Sequence, residues 1–408
     1  MVFRQGQSVW LQGRHLQYLV LVMSITSAQL VEFVRDQYGT SGPVPLHAPV
    51  LGQAEREYLL DCLDSTYVSS IGPYVNRFEE TVRAYTGAGA AVAIVNGTAA
   101  LQASLILSGV RAGDLVVTQP LTFVATANAI RYCGADPVFV DVDRRTLGLS
   151  PQALTDYLEE HAEVGDAECI LRNTGQVIRA CVVMHTFGHP ADLAGLVDVC
   201  TRWGLVLVED AAESLGSIYR GVHTGRYGRV AALSFNGNKI ITTGGGGMLL
   251  FENASEGQRA KHLTTTAKVP HPYEYAHDEV GYNFRLPNLN AALGCAQMLR
   301  LNGFVSEKRA LASRYAEFFR DSGLEFVLEP DGCRSNYWLN AVICPDRESR
   351  DLMLRETNAA QVQTRPAWTL MNRLPMYADC LAAPLDNAEW LADRLVNLPS
   401  SAPRVEAE

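Results

Sequence analysis

The sequence predicts an α/β protein built on a mostly parallel sheet, with a smaller α+β domain in its carboxyl-terminal third. Three observations predict it. Seven short apolar runs, most of them rich in β-branched residues, recur at residues 91–95, 114–118, 137–141, 180–185, 205–210, 231–235 and 247–251, which gives a seven-stranded sheet. Most are separated by stretches with helical spacing, at residues 99–107, 123–133, 150–161 and 193–203. Such alternation calls for crossover connections and helices on both faces of the sheet. The third observation is length: 408 residues are more than one compact core of ordinary size holds.

Taken in order, residues 1–40 read as an amino-terminal extension to about residue 25 followed by an amphipathic helix at residues 27–38. Residues 41–285 form the expected large domain. It opens with helical spacing at residues 55–65 and 74–85, and its last strand, 247–251, is expected to join the sheet edge antiparallel. Residues 286–408 begin with one long helical stretch, 286–315, that bridges to strands at 326–328 and 337–344 and a helix at 347–357.

Composition narrows the function. Hydrophobic residues make up 48% and charged residues 19% of the chain, and the net charge is −10 with no cluster of Lys and Arg. Nucleic acid and anionic membranes are bound by grouped positive charge, so neither is expected as a partner. The nine cysteines are scattered, odd in number and lack a Cys-x-x-Cys pair, which indicates a reducing, cytoplasmic setting and no structural zinc. The apolar run at residues 18–23 is far shorter than the roughly 20 residues a membrane span needs. No helix-turn-helix or basic arm is visible in the first 40 residues, as a DNA-binding regulator would carry.

Four signals carry chemistry, and together they suit a cofactor with a phosphate, a pyridine ring and an aldehyde. Asn96-Gly97-Thr98-Ala99-Ala100 turns a strand end into a helix start, where free N–H groups and the helix dipole favour a phosphate; a plain helix cap has the same pattern. The buried run 205–210 delivers Asp210 at its carboxyl end, placed either to keep a pyridine nitrogen protonated or to cap a helix. Ser234-Phe235-Asn236-Gly237-Asn238-Lys239 presents one lysine on a tight turn before a glycine run, with no neighbouring acid in the sequence to pair with it. An aldehyde can reach such an amine. Phe123, after the strand ending near Gln119, is placed to stack on a ring or to fill the core.

Other motifs do worse. His185 and His189 sit in a Gly/Pro loop without the His-Glu-x-x-His arrangement, so no metal is expected. The glycine run lacks the Lys-Ser/Thr that ends a nucleotide-binding P-loop.

Residues 119–128, 234–247, 262–275 and 281–285 resemble the DegT/DnrJ/StrS nucleotide-sugar aminotransferases, and within them the branch tied to legionaminic-acid-type sugars; the likeness runs from about residue 46 to 401. The resemblance implies the aspartate-aminotransferase-like fold type I of enzymes that use pyridoxal 5'-phosphate. It implies a homodimer with active sites at the subunit interface. By motif, Lys239 becomes the catalytic lysine that carries the cofactor as a Schiff base, Asp210 the partner of the pyridine nitrogen, and Gly97, Thr98 and Ser234 the phosphate contacts. Phe123 becomes the stacking ring, Glu213 a neighbour of the cofactor's phenolic oxygen where relatives often have His or Gln, and Asn283 a contact to the phosphate in the partner subunit. The implied reaction uses L-glutamate to aminate a nucleotide-linked 4-keto-6-deoxy-N-acetylhexosamine, UDP-linked, for surface glycans. A GDP-linked or 3-keto sugar, or a non-catalytic regulator on the same scaffold, are the alternatives. Lys268, His271 and Tyr273 are the substrate-binding candidates, offering a cation and aromatics to a diphosphate and a sugar ring.

Overall fold

The computed structural model describes residues 25–165 and 168–402, so the expected extension over residues 1–24 lies outside the described residues. The first helix, Ser27–Tyr38, starts where Thr26 and Gln29 form a reciprocal capping box and stops at Gly39 in the left-handed region. Its buried face, Leu30, Val31 and Val34, packs against Leu311, Tyr315 and Phe319 and against Val342 and Val396. The amino-terminal helix is thus held by carboxyl-terminal residues.

Helices Gln53–Asp64 and Pro73–Thr86 precede the central sheet. Its strands are β1 (Ala90–Ile94), β2 (Leu115–Thr118), β3 (Asp136–Phe139), β4 (Ala162–Gly165), β5 (Glu168–Leu171), β6 (Val177–Met184) and β7 (Val206–Asp210). After the short pair β8 (Ile218–Tyr219) and β9 (Val222–His223) come β10 (Val230–Ser234) and β11 (Gly247–Phe251). The order is β1-β11-β10-β7-β6-β2-β3, with the hairpin β4–β5 attached to β6. Pairs from β3 through β2, β6 and β7 to β10 are parallel. The helices between these strands, Gly97–Leu107, Val124–Tyr132, Pro151–His161 and Leu193–Trp203, are those the periodicity predicts.

Two expectations need correction. The sheet has nine strands rather than seven, because the hairpin β4–β5 adds two that carry Glu163 and Glu168 in four-residue strands too short and polar to read as sheet. Strand β11 is not at the edge. It lies between β1 and β10, antiparallel to both, and all five of its residues are buried. The helix Ala254–Thr264 stands where the sequence pattern predicts none, since Gly257 and the charges Glu256, Arg259 and Lys261 obscure its apolar stripe.

Two further strands, β12 (Lys268–Val269) and β13 (Ala276–His277), make a separate exposed hairpin. The 32-residue helix Asn288–Phe319 then runs through both cores, a length of about 48 Å at 1.5 Å per residue. Ala291, Cys295 and Leu301 pack with Phe78 and Phe235, whereas Leu311, Tyr315 and Phe319 pack under a second sheet. That sheet is formed by β14 (Glu325–Phe326), β16 (Asn340–Ile343), β17 (Arg365–Pro366) and β18 (Leu395–Leu398), in the order β14-β16-β18-β17. Strand β15 (Cys333–Arg334) instead pairs with β8 and so ties the two parts of the chain together. Helices Arg347–Ala359 and Asp386–Ala392 complete this region. Among the described residues, no helix is long and apolar enough to cross a membrane.

Candidate active site

The carboxyl ends of β1, β2, β6, β7 and β10 point to one edge of the sheet, where open α/β sheets bind ligands. A cavity of about 360 Å³ opens there, lined by Gly97, Thr98, Phe123, Asp210, Glu213, Ser234 and Lys239 among others. Seven of the eight cofactor residues expected from the sequence therefore share one space.

One end of the cavity is built for an anion. The side chain of Asn96 accepts the N–H of Ala99 at 2.8 Å and so caps the helix Gly97–Leu107, whose first turn carries the N–H groups of Gly97 and Thr98 toward the cavity. The helix start presses on the end of β10. A Cβ on Gly97 would lie 2.8 Å from the Cβ of Ser234, so only glycine permits this approach. The Asn96 cap and a phosphate site, left as alternatives by the sequence, are compatible, because the cap uses only the third N–H of the helix.

Farther in sits Asp210, 2% exposed. Its Oδ2 accepts the hydroxyl of Thr126 at 2.7 Å and its Oδ1 the N–H of Ala212 at 3.2 Å. Burial pushes its pKa above the usual carboxylate value. Each oxygen has one donor, and a buried cation alongside would offset the desolvation.

Lys239 stands on the turn after β10, where its N–H bonds to the carbonyl of Asn236 at 3.0 Å. Its Nζ lies 3.1 Å from Oε1 of Glu213 and 4.0 Å from the ring centroid of Trp338. The expectation that the lysine has no acid to pair with is therefore wrong. Adjacency in sequence does not show the pairing, because it is the adjacent strands β7 and β10 that bring Glu213 in from 26 residues away. Glu213 is 2% exposed, and its Oε2 accepts the N–H of Phe187 at 3.0 Å. Burial raises its pKa to about 7 against the opposing pull of Lys239.

Phe123 is 49% exposed at the cavity rim, with its ring edge-on to Trp368 at 6.4 Å. It is not a core residue. Trp338 and Trp368 were missed by sequence reasoning, because both reach the cavity from the carboxyl-terminal region. The pair Tyr337-Trp338 straight after the polar Ser335-Asn336 was the one available signal.

Four expected residues do not line this cavity. Asn283 is exposed, and its Oδ1 accepts from Nε of Arg285 at 2.9 Å. Lys268, His271 and Tyr273 lie on the exposed β12–β13 hairpin, where the Nζ of Lys268 sits 4.1 Å from the ring centroid of Tyr275 and His271 packs on Tyr273 at 4.8 Å. Of the two histidines weighed as metal ligands, His185 bonds Glu209 at 2.9 Å, and His189 is fully buried edge-on to Tyr337, its pKa lowered to about 4 by burial.

The donor set fits a single group: N–H groups and a hydroxyl at one end, a buried acid on the floor, an aromatic ring at the rim and an amine at the side. Pyridoxal phosphate has the phosphate, ring nitrogen and aldehyde to match them.

Comparison with known proteins agrees with this geometry. The model of the DegT/DnrJ/EryC1/StrS aminotransferase family matches residues 49–408. A GDP-perosamine synthase of Escherichia coli O157:H7 is 34% identical over 88% of this chain and 93% of its own. The putative pyridoxal phosphate-dependent aminotransferase EpsN of Bacillus subtilis (strain 168) is 34% identical over 89% and 92%. Among solved structures, the aminotransferase TlmJ from Streptoalloteichus hindustanus superposes with a TM-score of 0.79 at 30% identity, covering 88% of this chain and 94% of that one.

Proposed function

From the premise that the chain belongs to the DegT/DnrJ/EryC1/StrS aminotransferase family, and is a pyridoxal phosphate-dependent nucleotide-sugar aminotransferase of fold type I, we propose its reaction: transfer of the amino group of L-glutamate to the ketone of a nucleotide-linked 4-keto-6-deoxyhexose. The observation that carries the reading is the gathering of Lys239, Asp210, Ser234 and the Gly97 helix start around one cavity.

When bound, pyridoxal phosphate supplies an aldehyde that captures amines and a ring that stores the electron pair left as a proton departs. The chain does the rest. The N–H groups of Gly97 and Thr98 and the hydroxyl of Ser234 hold the phosphate. Asp210 keeps the ring nitrogen protonated, Phe123 covers the ring face, and Thr126 orients Asp210. The amine of Lys239 removes the proton from the α-carbon of glutamate and delivers a proton to the substrate ketone carbon in the second half of the cycle.

The name of the E. coli relative supports a GDP-linked sugar. The UDP-linked N-acetylhexosamine of the legionaminic-acid branch, expected from the sequence, is the second reading and rests on the quoted motifs alone. We further propose a homodimer. Leu60, Leu63, Tyr67, Val68 and Ile71 form an exposed apolar stretch of 40–67% exposure, which water-facing surfaces rarely carry. Asn283 and the β12–β13 hairpin, away from their own cavity, then serve the partner's, with Lys268, His271 and Tyr273 toward the sugar nucleotide. A cytoplasmic setting rests on the nine cysteines being scattered, odd in number and without a Cys-x-x-Cys pair.

The test is the absorbance spectrum of the purified protein before and after glutamate, for the native chain and Lys239→Ala. Glutamate should shift the native band. GDP- and UDP-linked keto-sugars are then compared for which one restores it. A native protein that takes up no pyridoxal phosphate overturns the assignment of Lys239.

A further inference from the structure

The contact between Glu213 and Lys239 has no role in the reading above. Glu213 is held so that its two oxygens have separate tasks. Oε2 accepts the N–H of Phe187 at 3.0 Å, and Phe187 itself occupies the left-handed region with φ of 57° in a tight turn after β6. That turn is set by its surroundings, since the carbonyl of the next residue, Gly188, accepts the hydroxyls of Ser217 and Ser335 at 2.7 and 3.0 Å. The remaining oxygen, Oε1, is thereby aimed at Nζ of Lys239, 3.1 Å away, in a part of the cavity where Glu213 is almost completely buried.

We propose that Glu213 is the proton partner of Lys239: its Oε1 takes the ammonium proton when the lysine must act as a free amine and returns it afterwards. This rests on the reading of Lys239 as the reacting amine. In the step one N–H bond breaks at Nζ and one O–H bond forms at Oε1. Ammonium becomes amine and carboxylate becomes carboxyl, so the pair stays neutral overall and needs no co-reactant.

The surroundings favour the exchange. Two charges buried together carry a desolvation cost that their neutral forms avoid, and burial accordingly pushes the pKa of Glu213 up to about 7. The other charged group facing Glu213 is Asp210, which pushes in the same direction, while Lys239 opposes. The lysine also lies against the uncharged indole of Trp338, and His47, whose own pKa is lowered by burial and by Lys308 and Lys239, is a further titratable group that its charge reaches.

The experiment uses the full chain stripped of cofactor and follows how fast Lys239 forms its coloured adduct with pyridoxal phosphate across pH 5.5–9.5, set beside labelling by trinitrobenzenesulfonate. Peptide mass spectrometry assigns the adduct. For the native protein the rate should climb about tenfold per pH unit up to a step near pH 7, level off, and rise again in alkali. In Glu213→Gln, which keeps an acceptor for Phe187, the step near pH 7 should vanish and a single rise remain. Glu213→Asp should restore two rises. A merely structural Glu213 would alter the size of the rates in Glu213→Gln but not their number of steps. A native profile with one rise, or a Glu213→Gln profile that keeps two, overturns the proposal even if a variant folds poorly, since the native profile decides alone. An adduct absent from Lys239 would instead overturn the functional reading.

Discussion

The indole of Trp338 lies against Lys239 with the Nζ 4.0 Å from the ring centroid, and the Nε1–H of the same ring donates to the carbonyl of Asn238 at 2.7 Å. One side chain from the carboxyl-terminal region therefore fixes both the lysine's head and the turn that bears it. Trp338→Phe keeps a ring face and loses the hydrogen bond, worth about 1 kcal/mol or roughly fivefold in rate. Trp338→Leu loses the ring as well, adding about 1 kcal/mol. Single-turnover reaction with glutamate should slow in that order; equal rates for native and Leu variants would show that the indole does not position the amine.

Asp210→Asn preserves the shape of the buried acid and its bond to Thr126 but removes the charge. An opposite charge within about 4–6 Å shifts a pKa by about 1–3 units, so the protonated ring should be depopulated, and kcat lowered, by about 10- to 1000-fold. The variant should still bind pyridoxal phosphate. Titrating the cofactor's absorbance with pH checks this directly: the ring ionisation moves into the accessible range only if Asp210 is its partner.

At the other end of the cavity, Ser234→Ala removes a hydroxyl that would donate to a charged oxygen, worth about 1.5–3 kcal/mol or roughly 10- to 100-fold in the Kd for pyridoxal phosphate. Gly97→Ala places a methyl 2.8 Å from the Ser234 Cβ and must push the helix start off β10. Its cofactor affinity should fall at least as far. Equilibrium dialysis with both variants distinguishes loss of a contact from loss of the cradle.

Residues that end a buried strand were legible in the sequence. Asp210 and Ser234 close apolar runs that can only be sheet interior, so their place at the carboxyl edge followed from topology alone. What joins distant strands was not legible. The Glu213–Lys239 contact depends on β7 lying beside β10, and the tryptophans depend on how the carboxyl-terminal region closes over the cavity. The interior position of β11 was hidden for the same reason: an apolar run looks alike whether one neighbour flanks it or two. Phe123 shows the converse limit, because a rim phenylalanine and a core one share a sequence pattern and differ only in exposure.

Beneath the site, Glu209 accepts the N–H groups of Gly225, Tyr227 and Gly228, each at 2.7 Å, and bonds His185 at 2.9 Å. Burial alone would raise its pKa, but His185 and these N–H groups outweigh it and leave the value below that of an ordinary glutamate. The sign follows. With the folded pKa below the unfolded value of about 4.3, the stabilisation is complete above that pH and is lost as pH falls through the folded pKa. Glu209→Gln puts an NH₂ donor among donors and should cost about 3 kcal/mol near neutrality. Thermal melts should show a large Tm deficit at pH 7 that narrows below pH 4; a constant deficit would mean that Glu209 is not charged in the folded protein.

If the β12–β13 hairpin serves the partner's cavity, two defective chains can repair each other. Lys268→Ala should raise the KM for the keto-sugar nucleotide about tenfold or more, the worth of one charged contact to a diphosphate, while the cofactor band stays. Lys239→Ala should abolish amine transfer in its own cavity but keep a native hairpin. In a mixture of the two chains about half the dimers are mixed, and each of these holds one cavity with both a native lysine and a native hairpin, so at low sugar concentration about a quarter of native activity should appear. A hairpin that folded back on its own cavity would give no such gain, because the chain that keeps Lys239 would keep its altered hairpin. Measuring the mixture against the two separate proteins at the same total concentration therefore decides which cavity Lys268 faces.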